Sequence, residues 1–83
     1  MKLLYFAWVK EKAGVSHEDV IPPGGVATVA DLIQWQIGRG DGYAEAFADE
    51  AMIRVAVNQE YVSLDHPVSL GDEVALFPPM TGG

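Results

Sequence analysis

The sequence contains no cysteine. That excludes a disulfide framework, a thiolate metal site and a cysteine nucleophile, so any sulfur chemistry would have to be built on some other group. Basic residues are scarce: five Lys and Arg stand against twelve Asp and Glu, for a net charge of −7. Affinity for a phosphate backbone rests on clustered cations, and the only local basic pair is Lys10 and Lys12. Nucleic acid is therefore not an expected partner, and an acidic surface is instead steered toward basic protein surfaces. Long apolar runs are missing too. Leu3–Val9 spans seven residues and meets Lys10-Glu11-Lys12, too short for a membrane span and without a signal-peptide cleavage region. No membrane association is expected, and the cytoplasm is the expected location.

Catalytic constellations are likewise absent. No Gly-x-Ser-x-Gly nucleophile setting occurs. His17 and His66 stand far apart without further ligands at metal spacing, so neither a metal nor a bound cofactor is expected. Gly38-Arg39-Gly40-Asp41-Gly42 has the look of a phosphate loop but follows a helical pattern, whereas a dinucleotide fingerprint follows a strand and opens a helix. It reads as a flexible helix-ending loop. On its own the chain is not expected to be an enzyme.

What is present is a folded-domain pattern with a peculiar end. Hydrophobic residues make up 49% and charged residues 20% of the 83 positions, which suits one small globule. Lys2–Val9 alternates with apolar residues on both faces and predicts a central strand, with a polar turn over Lys10–Gly14. Ser16–Ile21 predicts a second strand, broken by Pro22-Pro23-Gly24-Gly25. Thr28 followed by Asp31 resembles a capping box opening a helix whose core stripe is Val29, Leu32, Ile33 and Ile37, ended by Gly38. Tyr43–Asp49 suggests a further helical turn. Ile53, Val55 and Val57 alternate as a half-buried strand, Asn58-Gln59 predicts a turn, and Tyr61-Val62 a short strand.

The last strand, through Val74, Leu76 and Phe77, runs into Pro78-Pro79, which cannot donate ladder hydrogen bonds and favour a stiff extended path. Met80-Thr81-Gly82-Gly83 follow. Glycines lack a Cβ and fit a slot too narrow for other residues, so this end reads as a thin tip carrying an α-carboxylate to another protein's catalyst. A carboxylate is a poor electrophile; adenylation would give it a leaving group that a sulfur or amine nucleophile displaces.

The runs Leu4-Tyr5-Phe6-Ala7-Trp8-Val9-Lys10-Glu11, Thr28-Val29-Ala30-Asp31-Leu32, Val57-Asn58-Gln59-Glu60-Tyr61-Val62, Asp65-His66-Pro67 and Gly71-Asp72-Glu73-Val74-Ala75-Leu76-Phe77-Pro78-Pro79, with the Gly-Gly end, resemble the family of molybdopterin synthase small subunits. The resemblance spans nearly the whole chain, apart from the stretch between about Gly38 and Ala51. It implies an α+β, ubiquitin-like β-grasp: a mixed sheet crossed by one principal helix over residues 1–79, with 80–83 as a flexible tail. It implies that Gly83 is adenylated by an activating enzyme that consumes ATP and is converted to a thiocarboxylate through a sulfur-relay protein. Gly82, Thr81 and Met80 would enter the active site of the synthase's large subunit, where the sulfur passes to a cyclic pyranopterin precursor. It also implies a hydrophobic docking surface at Phe6, Tyr61 and Phe77; read from the residues alone, those aromatics are equally core side chains. Sulfur carriers of thiamine or cysteine synthesis and ubiquitin-like protein modifiers share the Gly-Gly end and stay open as alternatives.

Overall fold

In the computed structural model, which describes residues 1–79, the chain runs β1 (Lys2–Tyr5), α1 (Ala7–Ala13), β2 (His17–Asp19), α2 (Val29–Ile37), α3 (Asp41–Phe47), a 3-10 turn (Glu50–Met52), β3 (Arg54–Val57), β4 (Glu60–Val62) and β5 (Glu73–Phe77). The strands form one five-stranded sheet in the order β2-β1-β5-β3-β4. β1 and β5 are parallel and the other pairs antiparallel. This mixed sheet with helices on one side is the β-grasp expected from the sequence.

Strand alternation sorts the side chains cleanly. Leu3 and Tyr5 of β1, Val55 and Val57 of β3, and Val74 and Leu76 of β5 point toward the helices and are buried. They meet Val29, Leu32 and Ile33 of α2, Val9 of α1, and Ala46 and Phe47 of α3. Helix α2 starts as expected: Thr28 Oγ1 accepts from the Asp31 N–H at 3.2 Å, and Asp31 Oδ2 accepts from the Thr28 N–H at 3.1 Å. Its stripe differs by one residue, because Gln36 is fully buried while Ile37 is only partly so. Asn58 and Gln59 both take positive φ, 50° and 70°, forming the two-residue turn that suits a hairpin's twist. The Asn58 side chain then stitches that turn to the start of β5, accepting from the Glu73 N–H and donating to Asp72.

Two expectations are corrected. The strand predicted over Lys2–Val9 stops at Tyr5. Ala7 takes φ 52°, turning the chain out of the sheet, and Ala7–Ala13 is helix with Gly14 as a left-handed C-cap. The run Ala7-Trp8-Val9-Lys10-Glu11-Lys12-Ala13 is made largely of good helix formers and places Val9 and Ala13 four residues apart on one face, so helix packing wins over strand alternation. The supposed polar turn at Lys10–Gly14 is the end of that helix. The stretch after Gly38 is not a loose loop either: Asp41 opens α3, and Gly42 lies so close to α1 that a Cβ there would overlap the Lys12 carbonyl oxygen.

Candidate functional site

With Leu3, Tyr5, Val55, Val57, Val74 and Leu76 turned inward, the opposite face of the sheet is set by their neighbours. The pairing registers put Leu4 beside Ala75, Ala75 beside Ala56, and Ala56 beside Tyr61. One step further toward the end of β5, Phe77 faces Arg54, and the Phe6 N–H donates to the Leu76 carbonyl at 3.3 Å. Two small alanines in the middle and large aromatics around them leave a shallow concavity of about 460 Å³ lined by Phe6, Ala56, Gln59, Tyr61, Ala75 and Phe77.

The three aromatics predicted as docking residues are therefore neighbours. Phe77 sits between the others, its ring centroid 6.5 Å from Phe6 and 5.8 Å from Tyr61, both edge-to-face. Tyr61 is 82% exposed and Phe6 48% exposed; Phe77 is partly covered by its companions. Phe6 reaches the patch from the N-cap of α1 rather than from a strand. A contiguous exposed apolar surface of this kind is a common mark of protein association. Pro78 and Pro79 leave from its edge, Pro79 lining a second groove with Tyr61 and Phe77. The predicted reacting end, Met80, Thr81, Gly82 and Gly83, lies outside the described residues.

The other face carries a polar cluster that sequence reasoning missed. The Tyr5 hydroxyl, buried beneath the helices, donates to Glu18 Oε2 at 2.6 Å and accepts from Gln36 Nε2 at 2.6 Å. Arg39 closes the ring: Nη1 donates to Glu18 Oε2 at 2.8 Å and to Gln36 Oε1 at 2.7 Å, and Nη2 to Glu18 Oε1 at 2.8 Å. Its guanidinium also lies 4.3 Å from the Tyr43 ring centre and 4.9 Å from that of Trp35, within cation–π range. Arg39's hydrogen bonds hold Glu18 down to a pKa of about 2, helped by the hydroxyls of Tyr5 and Tyr43 and opposed by burial. Burial, then the Glu18 carboxylate, pushes the Tyr5 phenol well above its ordinary value. Every buried polar side-chain atom among the described residues has a partner. A satisfied cluster of this kind fastens edge strand β2 to α2 and α3. No local signal announces it, since Glu18 and Arg39 are 21 residues apart. His17 and His66 are not brought together with acidic residues into a metal cluster among the described residues. No helix among these residues is long and apolar enough to cross a membrane.

Comparison with known proteins agrees with this fold. The profile of the ThiS family matches residues 3–83. The molybdopterin synthase sulfur carrier subunit of Escherichia coli is 43% identical over 83 residues, covering 100% of this chain and 99% of that one. The protein of the same name from Haemophilus influenzae is 34% identical over 84 residues, covering 100% and 99%. Among solved structures, the crystal structure of small archaeal modifier protein 1 from Haloferax volcanii superposes with a TM-score of 0.73 at 31% identity, covering 96% of this chain and 97% of that one.

Proposed function

The chain belongs to the ThiS family, and from that membership we propose that it is the sulfur-carrier subunit of a molybdopterin synthase, active as a substrate of other proteins' catalysts. The observation that carries this reading is the 43% identity, over the whole of both chains, to a molybdopterin synthase sulfur carrier subunit. The site adds support: an apolar patch of Phe6, Tyr61 and Phe77 on the uncovered face of the sheet, with the chain leaving that patch through Pro78-Pro79 toward Gly82-Gly83.

In this reading an activating enzyme transfers AMP from ATP to the Gly83 carboxylate, releasing pyrophosphate. A sulfur donor then displaces AMP and leaves a thiocarboxylate. The loaded carrier docks through Phe77, Phe6 and Tyr61 on the large subunit of the synthase, and Met80–Gly83 enters that subunit's active site. Gly82 offers the slim approach, Thr81 a hydrogen bond that sets the rotation of the tail, and Gly83 the sulfur. Sulfur passes to a cyclic pyranopterin precursor and water restores the carboxylate. A dithiolene has two sulfurs, so the carrier serves twice for each product. The chain itself supplies neither the nucleotide site nor the acid–base groups of these steps; they belong to its partners.

Incubation with the activating enzyme, ATP and a sulfur source is expected to exchange one oxygen for sulfur on the C-terminal peptide, read by intact-mass and fragment-mass spectrometry. A chain that gains no mass while a known carrier in the same mixture does would overturn the proposal. The likeness to a small archaeal modifier protein supports a second reading, conjugation of Gly83 to lysines of other proteins. That reading expects a ladder of higher-mass conjugates in a cell extract, where the carrier expects one or two discrete partners.

A further inference from the structure

On the rim of the aromatic patch stands a charge that has no counter-ion among the described residues. Of the two arginines, Arg39 is enclosed by Glu18, Gln36, Tyr43 and Trp35. Arg54 is exposed, next to Phe77 across the β3–β5 ladder. Among the described residues its side-chain hydrogen bonds go to backbone acceptors, Nη1 donating to the Ala51 carbonyl at 3.1 Å and the Ile53 carbonyl at 3.4 Å. Among the described residues the ion pairs are Lys12–Glu45 and Arg39–Glu18, and none involves Arg54. A guanidinium carries five N–H donors, so the edge formed by Nε and Nη2 has no protein acceptor among these residues.

That isolation among the described residues is notable in a chain with twelve Asp and Glu side chains. The acids of the neighbouring strands sit at the other end of the ladder, Glu60 opposite Val57 and Glu73 beside Asn58. Glu50 lines the groove on the near side with Arg54, its Oε1 accepting from Gln34 Nε2 at 3.1 Å, and forms no ion pair with Arg54. Arg54 therefore brings a positive charge to the row it shares with Phe77, on a protein whose net charge is −7. Arg54 also joins two grooves, one of about 450 Å³ running past Ile53, Val62 and Leu64, and one of about 370 Å³ shared with Tyr61, Phe77 and Pro79. Its position is thus on the path by which the chain leaves the patch.

We propose that Arg54 is a specificity-determining contact of the docking face, pairing side-on with an Asp or Glu carboxylate on the subunit that receives the sulfur. The inference rests on the carrier reading above and adds to it the chemistry of the partner: an apolar surface complementary to Phe6, Tyr61 and Phe77, with one carboxylate set where the tail enters. The planar fork matches a carboxylate in two parallel hydrogen bonds and fixes orientation as well as energy, so it sets the register in which Pro79 presents the end. A buried aliphatic contact at this position would hold the partner equally well but would not reject a mis-oriented or wrongly charged one.

The test is equilibrium binding of the full chain to the large synthase subunit of the same organism, at low and high ionic strength, for wild type, Arg54→Met and Arg54→Glu. Met keeps the apolar stem and removes the charge. The expected result is a loss of about tenfold for Arg54→Met and about a hundredfold for Arg54→Glu at low salt, with the gap between variants shrinking at high salt. Reversing the partner's carboxylate to Lys should restore binding of Arg54→Glu. If wild type binds and Arg54→Met and Arg54→Glu bind equally well at both salt concentrations, the Arg54 inference is overturned while docking stands. If wild type itself fails to bind a large subunit that binds its own carrier, the docking reading falls with it.

Discussion

The two faces of the sheet solve opposite problems with similar residues. Toward the helices, an arginine, a carboxylate, a glutamine and two tyrosines are brought together until each hydrogen bond is answered, and the cluster is closed from outside by Trp35 and Tyr43. Away from the helices, an arginine, a tyrosine and two phenylalanines are left with apolar surface in contact with solvent and, among the described residues, no carboxylate paired with the cation. Leaving a large aromatic exposed forgoes roughly 1.5–3 kcal/mol of burial energy. The covered face spends its side chains on stability; the open face withholds them. The lesson is that, among the described residues, the proposed docking surface stands out by unmet potential, apolar area and N–H donors without partners, whereas the polar cluster, though richer in titratable groups, has its buried side-chain atoms satisfied.

The sharpest way to break that contrast is Phe77→Asp. Placing a carboxylate between Phe6 and Tyr61 puts a charge at the centre of the proposed interface, and binding to the large subunit is expected to fall by about a hundredfold, a loss of about 2.7 kcal/mol and within the range that central aromatics carry. Since Phe77 is only partly covered and lies outside the core, the thermal midpoint should move by no more than a few degrees. A collapse of the fold with this substitution would show the open face to be part of the core.

The covered face should behave in the reverse way. Arg39→Ala leaves Glu18 without its strongest partner, with the Tyr5 and Gln36 groups still beneath the helices. Fully buried pairs cost 3–5 kcal/mol when halved; with Arg39 and Glu18 each about a fifth exposed, the expected loss is about 2–3 kcal/mol in a urea titration, with docking affinity unchanged. Arg39→Lys should recover only part of it, because a point charge cannot make the paired contacts of the fork.

How much of this was readable beforehand follows from range. The capping box of Thr28 and Asp31, the Asn58-Gln59 turn and the alternation of β3 and β5 depend on residues a few positions apart, and the structure has each where expected. The β1 boundary differs from the expectation because Leu3–Val9 is apolar at every position but Ala7's turn depends on what packs beyond it; the local signal for it is Gly14 following a run of helix formers. The Glu18–Arg39 cluster joins an edge strand to the far end of α2, and its members look like ordinary surface residues in the sequence. The aromatic patch is half legible: the sequence singles out Phe6, Tyr61 and Phe77, but strand register decides that Tyr61 and Phe77 face away from the core, and the turn into α1 that Phe6 joins them.

Acid offers a finer probe of the same division. Glu18's carboxyl is held at about 2 in the fold against an ordinary value of 4.5. Because the folded value is the lower one, its contribution to stability is complete above about pH 4.5 and is lost as pH falls toward 2. Stability measured by urea unfolding should therefore drop across that window in wild type and drop less in Glu18→Gln. Asp31, held below the ordinary carboxylate range by the N–H groups of Ala27 and Thr28, titrates in the same sense, so a shallow slope remains. An unchanged slope in Glu18→Gln would mean that other carboxylates carry the acid sensitivity.

The smallest expected effect tests whether the faces are independent at all. Thr28→Ala removes the hydroxyl that accepts from the Asp31 N–H at 3.2 Å, while Asp31 can still accept from the Thr28 and Ala27 N–H groups. N-cap truncations of this kind cost about 1 kcal/mol, and Thr28→Ser should cost only a small part of that. Helix α2 lies wholly behind the sheet, its residues Val29, Leu32 and Ile33 packed on the inward side chains of β1, β3 and β5. A frayed α2 start should thus lower the urea midpoint and leave Arg54, Phe77 and the affinity for the large subunit untouched. If affinity falls along with stability, the patch is held in shape by the helix through the sheet, and the open face is an outcome of core packing instead of a surface that can be tuned separately from it.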